Sequence, residues 1–157
     1  MAVDVFLKLG GVVGGSKDEV HLKENDVLSW SWGMANSGSA HLGGGARSGK
    51  VNAQDVMLSK YIDSSSPNLM QGRFDDTHYK SALIIVRKGG GTPIEYMKIK
   101  LKPVLTSSVS TGGSHNDDRL TENVILNFAK VRVDHTPQND DGSAIPLGWD
   151  LAAYSKE

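Results

Sequence analysis

The fold is indicated first by residues 27–33, which read VLSWSWG. Three large apolar side chains recur there at every second position, and two serines alternate with them: Leu28, Trp30 and Trp32, then Ser29 and Ser31. Because successive side chains of a β-strand point to opposite faces, this alternation predicts a strand with one apolar and one small polar face. Side chains of this size predict that the apolar face belongs to the protein core and that both serines point away from it.

The predicted strand extends over 20–33, and runs of the same kind predict seven more. They cover 3–9, 50–60, 80–88, 94–102, 104–110, 119–134 and 148–154. The 18 glycines fall between apolar runs, as expected for hairpin connections. A short helix is predicted around 63–70, where Ser66 can cap free N–H groups and Pro67 can fill the first helical position. One helix among many strands predicts an all-β fold, an antiparallel sandwich or barrel, in a single domain over residues 1–157.

Two of the predicted strands are apolar on more than one face. Residues 82–86 leave no polar side, and between 124 and 133 the apolar phase passes from even to odd positions. A β-bulge can cause such a change of phase. Burial of the second face by a neighbouring subunit is the other explanation, and the sequence leaves both open.

The composition excludes several classes of function. Seventeen Lys and Arg against eighteen Asp and Glu give a net charge of −1, so no overall field attracts nucleic acid or acidic lipid. The absence of cysteine excludes disulfide scaffolds, Cys-ligated metal centres and thiol nucleophiles. The amino terminus lacks the basic region and apolar core of a secretion signal, and no uncharged apolar run approaches the roughly 18 residues that span a bilayer. We therefore expect no nucleic-acid partner and no membrane insertion.

Residues 44–50, GGARSGK, match part of the phosphate-binding P-loop. The match then fails, because Val51 stands where a Ser or Thr hydroxyl should reach magnesium. The residues that follow alternate like a strand instead of opening a helix whose N-terminus could hold phosphate. The sequence thus predicts a glycine-rich loop that packs closely on something, with no nucleotide or other cofactor and no catalytic residue.

The other charged residues are explained better by turns and exposed strand edges than by catalysis or metal binding. The five histidines are too widely spaced for a recognisable metal motif, and no metal site is predicted. Paired aspartates at 75–76, 117–118 and 140–141 lie among turn-forming residues. Lys98, Lys100 and Lys102 form a row on one strand face, which is typical of a solvated or guarded edge. Contact with an acidic surface of a partner is the alternative.

Several short segments, in order along nearly the whole chain, resemble Hcp, the tube protein family of the bacterial type VI secretion system. They are VLSWSWGM at 27–34, GGG at 43–45, GKV at 49–51, KYID at 60–63, SPNLM at 66–70, SSVSTGG at 107–113, LTENV at 120–124 and GW at 148–149. The segments 71–79, 114–118 and 138–147 carry no such resemblance, so no family role is assigned to them.

The resemblance implies a β-barrel with one flanking helix that assembles as a homo-hexameric ring. Rings of this family stack into a tube that a contractile sheath drives outward, tipped by a VgrG spike and carrying effector cargo. The chain would then be cytoplasmic before firing and afterwards be secreted through the type VI machine without a cleaved signal peptide. Since the sequence ends eight residues after Trp149, no fused effector domain is expected.

Two sets of residues acquire expected roles in such a ring. Ser29 and Ser31, pointing away from the core, are expected to line the lumen and face the effectors, because small hydroxyls suit a wetted channel wall. The glycine-rich loop is expected to pack between adjacent or stacked subunits through Ser37, Gly43, Gly44, Gly45, Arg47, Gly49 and Lys50. A monomeric β-sandwich binding module without enzymatic activity is the alternative function, and a small hydrolase or nucleotide-binding enzyme is a more distant one.

Overall fold

The structure is a computed structural model that describes residues 3–36, 51–89, 93–137, 145–151, 153 and 155–156. In these residues the chain forms eleven strands and one helix. They are β1 (Val3–Leu9), β2 (Asn25–Ser31), β3 (Met34–Ala35), β4 (Asn52–Ala53), β5 (Val56–Tyr61), α1 (Ser66–Phe74), β6 (His78–Tyr79), β7 (Ala82–Lys88), β8 (Ile94–Gly112), β9 (Thr121–His135), β10 (Ile145–Asp150) and β11 (Ser155–Lys156).

Six strands close into an antiparallel barrel in the order β1-β2-β5-β9-β8-β7, with β7 pairing back onto β1. Strands β10 and β11 extend the sheet from β9, and β6 pairs with β8. This arrangement confirms the prediction of an all-β barrel with one short helix. Closure leaves the barrel strands without a free hydrogen-bonding edge over their paired lengths.

Several strand boundaries differ from the predicted ones. The predicted strands 94–102 and 104–110 form one strand, because β8 continues through Pro103. Opposite Pro103, the Leu151 N–H donates to the carbonyl of Ala129 at 2.8 Å, which supplies a donor where proline has none. The predicted strand 50–60 is divided into β4 and β5, β2 begins at Asn25, and the predicted last strand begins at Ile145.

The barrel is filled by aliphatic side chains from all six strands. The most completely buried are Leu7, Val56, Leu58, Ile84, Ile99, Leu101, Val104, Val124 and Leu126. The interior therefore has no room for a ligand, and chemistry or recognition must take place on the outside of the barrel.

The second apolar face of β7 is covered by the chain's own connection between β1 and β2. Ile85 is 4% exposed and pairs with Phe6 of β1, and the His21 ring stacks on Phe6 at 4.3 Å. Arg87 holds the connection by hydrogen bonds to both carboxylate oxygens of Asp18, at 3.1 and 2.6 Å. Burial of this face needs no neighbouring subunit.

His21 also holds the β1–β2 connection in place, since each ring nitrogen lies within hydrogen-bond distance of a carboxylate. Its Nδ1 is 2.8 Å from Glu24 Oε2, and its Nε2 is 2.7 Å from Glu95 Oε1. The connection also requires glycine at Gly14, where a Cβ would overlap the backbone carbonyl of Glu24. Close backbone packing and ion pairs therefore fix the connection against the barrel.

The change of phase in β9 is also accommodated within one chain. Val124, Leu126 and Phe128 point into the barrel, and the next buried residue is Val131, which is 4% exposed. In β8 the buried positions change phase in the same place, from Leu101 to Val104. The register shift of this ladder lies elsewhere, between Thr106 and Ser108, so a bulge in β9 is not the cause.

A buried ion pair joins β5 to β9 inside the barrel. Lys60 is 0% exposed, and its ammonium lies 2.5 Å from Oε1 of Glu122, which is 1% exposed. The same carboxylate oxygen accepts a hydrogen bond from the Ser66 hydroxyl at 2.7 Å, which ties the start of α1 to the barrel. The prediction that Ser66 caps the helix is therefore wrong, because its hydroxyl is used by Glu122 and by the Asp63 N–H.

Asp63 connects this pair to the β1–β2 connection. Its carboxylate accepts hydrogen bonds from Lys60 at 3.1 Å, from the Ser65 N–H at 2.8 Å and from the Gly15 N–H at 3.0 Å. Burial alone would raise the pKa of Asp63, but the hydrogen bonds from Ser65 and Lys60 outweigh burial and hold it below its ordinary value of 3.8. The charged form of Asp63 therefore stabilises the folded state.

The role of the buried pair can be tested by comparing a single and a double variant for their free energy of unfolding in urea. We expect Glu122→Gln to cost about 3 kcal/mol, the low end for a broken buried pair, because the Lys60 ammonium then keeps only the Asp63 carboxylate, at 3.1 Å, as a countercharge. Lys60→Met combined with Glu122→Leu should recover most of that loss. Lys17→Met on the exposed surface is the control. Equal costs for Glu122→Gln and the double variant would contradict the assigned role.

Asp63 predicts a specific pH dependence. Since its pKa is lowered on folding, its stabilisation is complete above the ordinary carboxyl range and is lost as pH falls through the folded-state value. Wild-type protein should therefore lose more stability between about pH 6 and about pH 3 than the Asp63→Asn variant. Urea unfolding across this range, with Asp26→Asn as control, measures the difference. Parallel pH profiles for wild type and Asp63→Asn would refute the prediction.

Candidate functional site

The outer face of β2 depends on a β-bulge that the sequence pattern did not reveal. Val27 pairs with Lys60 and Ser29 with Ser59, so the register shifts and Leu28 is the extra residue. Val27 is 8% exposed and belongs to the core, whereas Leu28 is 48% exposed. The prediction that Leu28 belongs to the barrel core is therefore wrong, because the bulge changes the alternation before the tryptophans.

The two tryptophans are partly buried and pack against the core. Trp30 pairs with Leu58, which points into the barrel. Trp32 lies beyond the end of β2, where its indole Nε1 donates to the Gln54 carbonyl at 2.8 Å. Its ring meets Phe128 edge-on at 6.1 Å, so it closes one end of the barrel instead of filling the middle.

Ser29 and Ser31 are exposed and form part of a larger surface on four adjacent strands. We call this surface the small polar wall, and its members are Ser29, Ser31, Ser59, Ser108, Ser110 and Asn123. One row across the wall runs from Ser29 through Ser59 and Asn123 to Ser110. The next row starts at Ser31, ends at Ser108 and includes the larger side chains of Met57 and Ile125.

The small polar wall thus covers β2, β5, β9 and the second half of β8, on the outside of the barrel. Short hydroxyl and amide groups give it a hydrated surface with little relief. Met57, at 51% exposure, is a large apolar side chain set into this surface. The sequence predicted only the two serines of β2. The other members follow from strand pairing, which a single sequence does not reveal.

The first half of β8 presents a different outer face. Lys100 lies opposite Arg132, and Lys102 lies opposite Lys130, so like charges meet on two rungs of the β8–β9 ladder. We call the surface formed by Lys98, Lys100, Lys102, Lys130, Arg132 and Lys156 the basic surface. It surrounds a cavity of about 620 Å³ whose apolar lining includes Leu83, Val131 and Leu147.

The basic surface is only partly neutralised by neighbouring carboxylates. Lys98 pairs with Glu95 at 3.2 Å, Lys130 with Asp150 at 3.6 Å and Arg132 with Asp134 at 3.2 Å. Within the part of the chain that the structure describes, Lys100 and Lys102 have no ion-pair partner. Like charges placed directly opposite each other destabilise a sheet, which favours a role in recognition for this surface.

The predicted interface loop lies outside the described residues. This applies to Ser37, Gly43, Gly44, Gly45, Arg47, Gly49 and Lys50, and to the partial P-loop that includes some of them. Among the residues that are described, no three His, Asp or Glu side chains lie together as a metal site would require. Over the same residues, no helix is long and apolar enough to cross a membrane.

Comparison with known proteins connects this barrel to a secretion machine. Residues 6–135 match the family model described as type VI secretion system effector, Hcp. The chain belongs to the Hcp family. It is 55% identical over 156 residues, or 96% of each chain, to protein hcp1 of Pseudomonas aeruginosa.

Solved structures agree with this assignment. The crystal structure of Hcp1 from Salmonella typhimurium covers 100% of both chains at a TM-score of 0.85 and 34% identity. A type VI secretion system effector from Yersinia pestis covers 94% of this chain and 99% of its own, at a TM-score of 0.78 and 30% identity. As an Hcp protein, the chain is a subunit of the type VI secretion tube.

Proposed function

We propose that the chain forms homo-hexameric rings that stack into the secretion tube, with the small polar wall lining the lumen. The single observation that carries this proposal is the wall itself. Four adjacent strands of a closed barrel turn short polar side chains outward along one row, and the two outer strands of the four do so again along the next row.

The chemistry of the wall favours a lumen over a contact between subunits. The centre of a stable protein interface is enriched in aromatic and large apolar side chains and is poor in serine. The wall is mostly of the opposite composition, since its two rows have serine at five of eight positions and Asn123 at a sixth, with Met57 and Ile125 at the other two. A hydrated surface of short side chains lets cargo pass or rest without strong attachment, as export requires. Ser29 and Ser31 would then contact effectors weakly.

Ring closure needs two different complementary surfaces on each subunit, because head-to-tail contacts around a ring are heterologous. We propose that the glycine-rich loop at 37–50 supplies part of one of them, between adjacent or stacked subunits. A loop so rich in glycine is costly to order, by about 1–2 kcal/mol of backbone entropy per residue, and a neighbour's contacts offset that cost.

Membership of the family supports the remaining parts of the proposal. The partners would be a VgrG spike at the tip, the surrounding sheath proteins and effector cargo in the lumen. The chain would act without catalysis, remain in the cytoplasm until firing and leave through the type VI machine without a cleaved signal peptide. A monomeric binding module is the competing function, and it differs in the mass of the particle.

The mass of the purified protein tests ring formation. We expect native mass spectrometry to give six copies of the 16.8 kDa chain, because closed heterologous contacts fix the number of subunits. Dilution should not yield a stable population of intermediate sizes. A monomer at all concentrations would contradict the ring and favour the binding module.

A substitution in the wall tests the cargo role. Ser31→Gln should preserve the fold and the ring, since its side chain points away from the core, but reduce retention of a co-expressed effector. Lys17→Gln, at an exposed position on the β1–β2 connection and outside the wall, introduces the same side chain and should leave retention unchanged. The measurement is effector co-purification at equal ring yield. Unchanged retention would remove the cargo role of Ser31, and loss of the ring would show that this face is an interface.

A further inference from the structure

We propose that the basic surface binds the acidic turn between β8 and β9 of a second copy of the chain, joining one ring to the next. This proposal rests on the proposed ring and tube, and it adds the contact that holds consecutive rings in register. The acidic turn consists of residues 113–120, and its exposed carboxylates are Asp117 and Asp118. Its one formal cation, Arg119, lies over the Tyr61 ring at 3.7 Å, so the turn carries a formal charge of −1. Each subunit then presents a basic surface to one neighbouring ring and an acidic turn to the other.

The first argument is the charge distribution over the chain. The basic surface and its paired carboxylates comprise six cationic and three anionic side chains, so their formal charge is +3. Since the whole chain carries −1, the remaining residues carry −4. A nearly neutral protein with one strongly basic surface is complementary to other copies of itself, and such complementarity fixes register and favours the correct encounter.

The second argument is the position of the two surfaces on the fold. Lys100 and Arg132 form one rung of the β8–β9 ladder, and Gly112 and Thr121 form its last rung before the acidic turn. The turn therefore lies at the opposite end of the same two strands, roughly 40 Å of extended chain away. Unlike surfaces at opposite ends of the same strand pair are suited to head-to-tail stacking.

The third argument is that, among the residues the structure describes, the basic surface lacks countercharges for two of its lysines. Two rungs of directly opposed cations cost stability in a sheet unless an anion lies close to them. Arg132 and Lys130 have carboxylate neighbours, but among the described residues no carboxylate reaches Lys100 or Lys102. A carboxylate from the neighbouring ring would lie between these like charges and reduce the repulsion on both rungs. The apolar lining of the cavity, including Leu83 and Leu147, would exclude water from part of the contact.

The turn is shaped to present its carboxylates. Asp117 accepts a hydrogen bond from the Ser114 N–H at 2.7 Å and donates its own N–H to the Ser114 carbonyl at 3.0 Å, which fixes the turn. Asp118 and Asn116 are exposed beside it. The carboxylate of Asp118 is therefore available to a partner without unfolding the turn.

The test uses the absence of cysteine from the chain, which makes introduced cysteines unique. Leu147→Cys in the cavity and Asn116→Cys in the turn leave every charge of both surfaces intact. A short bismaleimide should link these positions between rings at a yield at least about fivefold above a Val20→Cys and Asn116→Cys control. Measured by native mass spectrometry, which keeps the rings intact, linked species should increase in steps of six chains. The yield should fall toward the control as salt rises from roughly 0.05 M to about 1 M.

Charge reversal in the same cysteine background identifies the acidic partner. Lys100→Glu should lower the yield about three- to tenfold. Adding Asp118→Lys should restore it, because the two positions then carry opposite charges again, with the signs exchanged. A yield no greater than the control, a yield insensitive to Lys100→Glu, or failure of Asp118→Lys to restore it would each overturn the proposal. Linked species that increase by single chains under the same native conditions would support the contact but contradict the hexameric ring.

Discussion

The β8–β9 ladder is the constraint on which the rest of the structure depends. It pairs the two longest strands and closes the sheet into a barrel, which gives the six barrel strands one common interior. Because that interior is filled by aliphatic side chains, all recognition is left to the outside. The same two strands carry half of the small polar wall, all but one residue of the basic surface and the acidic turn. The pairing of these two strands therefore determines both the closure of the barrel and the positions of its outer surfaces.

Polar contacts join the barrel to α1 and to the β1–β2 connection, in addition to the apolar packing of Leu69 and Val12. Lys60 and Glu122 lie buried among the aliphatic side chains of the barrel, and Ser66 and Asp63 extend this pair to α1 and to the β1–β2 connection. A buried ion pair is a weak source of stability, but removing one partner is costly, so the pair favours one arrangement of these segments over alternatives. Fixed positions of the outer segments are useful in a subunit whose neighbours must contact it in the same way each time.

The sequence predicted the fold class from period-two patterns and glycine spacing, and the strands β1, β7 and β9 lie close to their predicted positions. Leu28 was misassigned because a bulge is a property of two paired strands and leaves no mark in the alternation of one. Lys60 and Glu122 were missed because a charged residue in an alternating run is usually exposed, and its burial depends on a partner sixty-two positions away. The sequence indicated that β7 is apolar on two faces. It did not indicate what covers the second face, because the β1–β2 connection has no periodic pattern of its own.

The central claim is that the small polar wall faces the axis of the ring, and distances between spin labels test it most directly. Ser59→Cys places a label on the wall, and Val20→Cys places one on the β1–β2 connection, which covers the two barrel strands that the wall leaves out. In rings carrying one label per subunit, pulsed electron paramagnetic resonance should give shorter distances between subunits for position 59 than for position 20. Longer distances for position 59 would place the wall on the outside of the ring and contradict the account.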